Sequence, residues 1–241
     1  MTDSEEESSL KLEVEERYSK AASQDPAISC CSAGNDYDED IPLSARNGAL
    51  GCGSPVNYLA LREGLTVVDV GSGSGVDVFA VANRLKAIKG KVIGIDSTLK
   101  MVARSRRTAA ENHYDNVEFR LGEMENLPVE SSVADIVISN CAVNLVPDKL
   151  RAFKEMFRIL KIGGYLTISD IVAKSQIPQR IRDDPARWTE CVSGALSVKE
   201  LEEIIKGAGF VNFRVIDEKK WDKTDDKDLD LSSLTFYAEK S

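Results

Sequence analysis

The chain has 241 residues, 42% of them hydrophobic, with 40 acidic against 31 basic side chains and a net charge of −9. That content suits a single large globular domain and excludes disorder of the whole. The acidic balance disfavours a nucleic-acid backbone as partner, because such binding needs a basic face. No apolar run is long enough to span a bilayer, and the leader lacks the basic and apolar regions of a signal peptide. A cytoplasmic monomer with reduced thiols is the expectation, with no nucleic-acid or membrane partner.

In chain order, residues 1–17 read as a flexible acidic leader, with its clearest charge cluster at Asp3 to Glu7. Residues 18–241 read as one domain, with irregular segments at 18–60 and 171–196 where binding residues tend to sit. Thr66 to Val70 is a short buried strand, and Val76 to Lys86 is a helix. Lys91 to Ile95 is the second strand, followed by a helix from Thr98 to about Asn112. Val117 to Leu121 and Asp135 to Ser139 are the third and fourth strands.

Asp148 to Leu160 repeats its apolar face at Leu150, Phe153, Phe157 and Leu160, the spacing of an amphipathic helix. Tyr165 to Ser169 makes the fifth strand. Ser197-Val198-Lys199-Glu200 has capping-box spacing and opens another helix, and Val211–Ile216 and Leu234–Ala238 are two last strands. This alternation predicts an α/β, doubly wound, mostly parallel seven-stranded sheet with an antiparallel last strand.

The motif Asp69-Val70-Gly71-Ser72-Gly73-Ser74-Gly75 follows the first strand and opens a helix. Glycines there allow close backbone approach and leave helix-end amides open to an anion. Asp96 ends the second strand, where a carboxylate accepts hydrogen bonds from both hydroxyls of a ribose. A helix N-cap is the plainer role for it. The acidic Asp69 is unwelcome to a pyrophosphate and compatible with a cationic cofactor.

Five cysteines complete the pattern: Cys30, Cys31, Cys52 between two glycines, Cys141 after the fourth strand, and Cys191. The odd number argues against a fully paired disulfide framework, and there is no Cys-x-x-Cys pair of a zinc ribbon, so no resident metal is expected. Any one of these thiols can read as core packing, equally so for Cys191, less so for Cys141 at a strand end, and less naturally for Cys52 between two glycines. His113 reads as a surface turn residue, Asp77 as a first-turn helix carboxylate, and Trp188 as a packing or shielding ring. Tyr18 is a candidate to fold over a cofactor from the leader.

The glycine motif with Asp96 resembles the class I S-adenosylmethionine-dependent methyltransferases, which have a Rossmann-like sheet. Several tracts resemble the arsenite methyltransferase family: Gly51-Cys52-Gly53-Ser54-Pro55, Val92 to Thr98, Phe119 to Glu123, Ile138 to Lys149, Lys161 to Gly164, Ser169 to Val172 and Cys191 to Leu196. The resemblance implies cofactor contacts at Asp69, Gly71, Ser72, Gly73, Gly75 and Asp96. It also implies contacts at Glu123 and Met124 to the adenine, and at Asn140 either to the methionine end of the cofactor or to the following turn.

The same resemblance makes Cys52, Cys141 and Cys191 the arsenic ligands. It pairs Cys52 with Cys30 or Cys31 in a redox disulfide reset by glutathione or thioredoxin. Trivalent arsenic is soft and favours thiolate donors. Its lone pair, aimed along a sulfonium–methyl axis, needs no side-chain base, which suits a chain with one histidine. The implied function is stepwise methylation of thiolate-bound arsenite for arsenic detoxification or biotransformation. The alternatives are methylation of a small organic acceptor, non-catalytic arsenic binding and nicotinamide-dependent dehydrogenation.

Overall fold

Strands β1 (Thr66–Val70), β2 (Lys91–Asp96), β3 (Val117–Leu121), β4 (Ala134–Asn140) and β5 (Leu160–Ala173) run parallel. With β6 (Val211–Trp221) and β7 (Leu231–Glu239) they make one sheet of order β3-β2-β1-β4-β5-β7-β6. Only β7 is reversed, being antiparallel to both β5 and β6. The expected seven-stranded, mostly parallel sheet is therefore the observed one. The structure, a computed structural model, describes residues 3–23, 37–47, 49–222, 226 and 229–241. Cys30 and Cys31 lie outside the described residues.

The α-helices among the described residues are α1 (Asp3–Ala22), α2 (Leu43–Arg46), α3 (Val76–Lys86), α4 (Leu99–Glu111), α5 (Lys149–Ile159), α6 (Gln179–Arg182), α7 (Pro185–Thr189) and α8 (Val198–Gly207). The two-residue period of the strands sorts their side chains between two cores. Val68, Val70, Ile93, Ile95 and Val137 pack with Phe153, Met156 and Ile159 of α5 and Leu201 and Ile205 of α8. Their neighbours Val67, Val92, Ile136 and Ile138 pack on the other side with Phe79, Val81 and Leu85 of α3 and Val102 of α4. Helices thus cover both faces, and the parallel strands are buried in near-continuous apolar runs.

Most element boundaries agree with the sequence reading to within a residue or two. The capping box at Ser197 forms, with Glu200 N donating to Ser197 Oγ and Ser197 N donating to the Glu200 carboxylate. Asp148 caps α5 through Arg151 N. The last three strands are longer than expected, because β5 and β7 stay paired from Tyr165↔Glu239 to Ala173↔Leu231.

The leader differs most: where a flexible tail was expected, residues 3–22 form helix α1. Glu, Leu and Lys are good helix formers. The charges also find partners, Lys11 with Glu123 and Glu125 and Arg17 with Glu190. Among the described residues, no helix is long and apolar enough to cross a membrane.

Gly71 shows how tightly the β1 turn is packed. Its φ is +78°, and a Cβ there would lie 2.4 Å from Cβ of Ala142 and 2.8 Å from Cε of Met124. Left-handed backbone with a side chain costs about 1–2 kcal/mol and overpacking about 1–3 kcal/mol, so Gly71→Ala is expected to lower stability by roughly 2–5 kcal/mol. Urea unfolding measures this; an unchanged midpoint would show that the turn tolerates a methyl group.

Candidate active site

The carboxyl ends of β1, β2 and β4 open into a cleft of about 960 Å³. This is the place where open α/β sheets bind ligands. Asp69, Gly71, Ser72, Gly73, Asp96, Glu123, Met124, Asn140 and Cys141 all line it. Gly75 is outside the lining. It starts α3 at φ +85°, and a Cβ there would strike the Phe119 ring at 2.8 Å, so its task is packing. A Cβ at Gly73 would meet nothing within 4 Å, which leaves its backbone open to a ligand.

One wall is acidic. Asp96 accepts from Gly73 N at 2.8 Å and from Thr98 N at 2.8 Å, which fixes its carboxylate toward the cleft rim. Burial, with Asp77 and Asp96 nearby, holds the Asp69 carboxyl well above the usual carboxylate range. Burial raises Asp77 and Asp96 as well, against hydrogen bonds that lower them. Crowded carboxylates of this kind are relieved by a cation, so the wall fits a positively charged ligand. Ser72 Oγ is buried on the same loop without a hydrogen-bond partner among the described residues, an orphan polar atom available to a ligand.

Sulfur reaches the cleft at Cys141, whereas Cys52 and Cys191 are outside its lining. Cys52, Cys141 and Cys191 meet in one cluster with Ile171, Ile177 and Trp221, although they come from three distant stretches of chain. Sγ of Cys52, Sγ of Cys141 and a carboxylate oxygen of Asp170 lie within 4.8 Å of one another. Cys191 is not a member of that close group; its Sγ donates to the Cys141 carbonyl at 3.1 Å. Cys141 and Cys191 both have left-handed backbone, at φ 56° and 63°. Such strain in residues other than glycine gathers at functional sites.

Asn140 holds the Cys52 loop. Its Oδ1 accepts from Cys52 N at 3.1 Å and Gly53 N at 3.2 Å. Its Nδ2 donates to Gly53 O at 2.8 Å, to Asp77 Oδ2 at 3.0 Å and to the Tyr37 hydroxyl at 3.3 Å. Asp77 also accepts from that hydroxyl at 2.8 Å, so it is more than the first-turn carboxylate expected. Ser233 Oγ closes the frame by donating to Cys52 O at 2.7 Å. The flanking glycines are needed because a Cβ at Gly51 would meet Asn140 at 2.5 Å, and one at Gly53 would meet Ser169 at 2.7 Å.

Three residues that the sequence reading gave no role surround the sulfur cluster. Asp170 is buried near the end of β5 and accepts from Ile171 N at 2.8 Å and Asn144 N at 3.1 Å; burial pushes it up to about 7. Asn144 Nδ2 donates to Ile171 O at 2.7 Å and Cys191 O at 3.1 Å. The Lys149 ammonium donates to Val146 O at 2.9 Å, lies 5.2 Å from the Trp188 ring centroid, and is pushed down to about 8 by burial. A charged residue inside an apolar strand was the one visible signal, at Asp170.

Trp188 packs and donates to Leu145 O at 3.0 Å. Tyr18 of α1 lines the cleft, and its hydroxyl donates to Thr189 O at 3.5 Å. Glu123, expected at an adenine, pairs with Lys11 at 2.6 Å. His113 is exposed at φ 56° in a turn, as expected.

A family model described as "Methyltransferase domain" matches residues 61–209. An arsenic (III) S-adenosylmethionine methyltransferase from Chlamydomonas reinhardtii is 31% identical, with a TM-score of 0.76 over 87% of this chain and 74% of that one. The chain belongs to the arsenite methyltransferase family. An arsenite methyltransferase of Halobacterium salinarum is 40% identical over 229 residues, covering 88% of this chain and 58% of its own length. One from Mus musculus is 39% identical, covering 69% of this chain and 46% of its own. The chain therefore spans about half the length of these curated relatives.

Proposed function

We propose that the chain moves methyl groups stepwise from S-adenosyl-L-methionine to trivalent arsenic held by Cys52, Cys141 and Cys191. The observation that carries the reading is the gathering of these three thiols in one cluster, of which Cys141 lines the cleft. When bound, the cofactor supplies an electrophilic methyl carbon on a cationic sulfur. Asp96 and the Gly71–Gly73 backbone would hold its nucleoside, and the acidic wall of Asp69 and Asp77 would face its charge.

The thiols capture arsenite by exchange: each As–S bond replaces an As–OH bond, and the thiol proton leaves with the hydroxide as water. Thiolate coordination is favoured because arsenic(III) is soft. The contribution of the protein is then mainly alignment, worth about 7–11 kcal/mol of barrier when geometry is well held. Each methylation formally oxidises the arsenic by two electrons. Cys52 with Cys30 or Cys31 would return them by closing a disulfide, which glutathione or thioredoxin reopens.

The test is direct: the chain with S-adenosylmethionine, arsenite and a thiol reductant should yield methylated arsenic species separable by chromatography. Cofactor binding without any such product would sink the reading.

The acidic wall adds a pH dependence. An acid whose pKa is raised must lose its proton to hold a cation, so affinity is full above that pKa and falls as pH drops through it. S-adenosylmethionine should therefore lose affinity by up to about tenfold per pH unit on acidification. S-adenosylhomocysteine, which lacks the sulfonium charge, should lose much less. Parallel calorimetric curves for the two ligands would show that the carboxylates do not sense that charge.

A further inference from the structure

We propose that, in the reduced chain, Cys52, Cys141 and Asp170 form a binding site for a thiophilic divalent cation of the zinc class. The site itself rests on geometry alone. Its consequence, competition with arsenite, rests on the reading above, because two donors are shared.

The three donor atoms, two sulfurs and one carboxylate oxygen, lie within 4.8 Å of one another. One ion with bonds of about 2.0–2.3 Å closes such a triangle with small side-chain rotations. Two sulfur donors select zinc, cadmium or cobalt over magnesium or calcium, which prefer all-oxygen surroundings. Three protein ligands leave a fourth position for water. Cys141 and Asp170 are buried, while half-buried Cys52 and the adjoining cleft give a path of entry.

The outer shell is already in place. Asn144 N and Ile171 N orient the Asp170 carboxylate, and Asn140 and Ser233 fix the Cys52 backbone. Such secondary contacts set ligand direction at metal sites. Charge also balances. Two thiolates and a carboxylate exceed a divalent cation by one negative charge, and the buried Lys149 ammonium, which donates to O of the same Asn144 whose N holds Asp170, offsets it. Cys191 stays outside this donor set, since its Sγ is turned to the Cys141 carbonyl.

The experiment uses the full reduced chain, without arsenite or cofactor, titrated anaerobically with cobalt(II). One equivalent should give a thiolate-to-cobalt charge-transfer band that zinc then removes. Cys52→Ser and Cys141→Ser should each lose the band, and Asp170→Asn should weaken cobalt binding by at least about tenfold. Cys191→Ser should keep the band while losing arsenite affinity. Thermal melting checks each variant; if Asp170→Asn does not fold, the half-buried Cys52 variant carries the test. Absence of the band, its survival in Cys52→Ser, or its loss in a folded Cys191→Ser overturns the site. Failure to methylate arsenite does not, so the two readings fail separately.

Discussion

Cys141→Ser is expected to abolish arsenite methylation while S-adenosylmethionine still binds. Serine keeps the volume, and the backbone bonds that frame this position, Cys141 N to Ser169 O and Cys191 Sγ to the residue 141 carbonyl, need no thiol at residue 141. What disappears is a soft, ionisable donor; a hydroxyl stays protonated near neutrality and is a poor ligand for arsenic(III). Loss of a direct ligand should exceed the roughly 10–100-fold that outer-shell changes cost at metal sites. Initial rates with arsenite, alongside calorimetry with the cofactor, make the comparison. A folded variant within about tenfold of the parent rate would remove Cys141 from the arsenic site.

Asn140→Leu is expected to have the second largest effect. The side chain is nearly isosteric, yet all five hydrogen bonds of the amide are lost. Each is worth about 0.5–1.5 kcal/mol, so losing all five lowers stability by about 2.5–7.5 kcal/mol. Function should suffer in a particular way. With its clamp gone the Cys52 loop shifts, and a displacement of about 1 Å at a reacting group can cost about 100-fold in rate. The signature of a positioning residue is a large fall in methylation rate and arsenite affinity in protein that remains folded. If arsenite affinity is unchanged in folded Asn140→Leu, the amide does not govern Cys52.

Much of the scaffold was legible because strand and helix periodicities differ. Thr66–Val70 stood out as a short apolar run, Val117–Leu121 by alternating apolar and charged residues, and Val76–Lys86 by apolar residues at helical spacing. Strand ends were harder. Lys161 to Gly164 reads as a stop in sequence, yet lies inside β5. That stretch is skipped in the register between Leu160 and Tyr165 and is left-handed at Gly163, and backbone bonds with Lys240 hold it, a partner of which a local pattern carries no trace.

The site was legible as residue types but not as roles. Gly51 and Gly53 were visible around Cys52; the Asn140 and Ser169 side chains that press on them were not. Asn140 read as a cofactor contact or a cap, and in the fold its hydrogen bonds join the Cys52 loop to α3. Asp170 sat in plain view within a quoted motif. Its meaning needs the crossover that brings β4 and β5 side by side, so that Asn140 pairs with Ser169 and the next residues of both strands meet the sulfur cluster. Helix α1 was missed because net charge says nothing about which acidic groups another segment will neutralise.

The left-handed backbone at Cys141 and Cys191 has a practical consequence. A glycine would sit there without steric penalty, and each side chain costs about 1–2 kcal/mol in that conformation. Breeding the molecule for heat tolerance alone would set that relief against the lost burial of each side chain, with nothing to protect the sulfur itself. Efforts to harden it belong on the far flank of the sheet, with both cysteine codons held fixed.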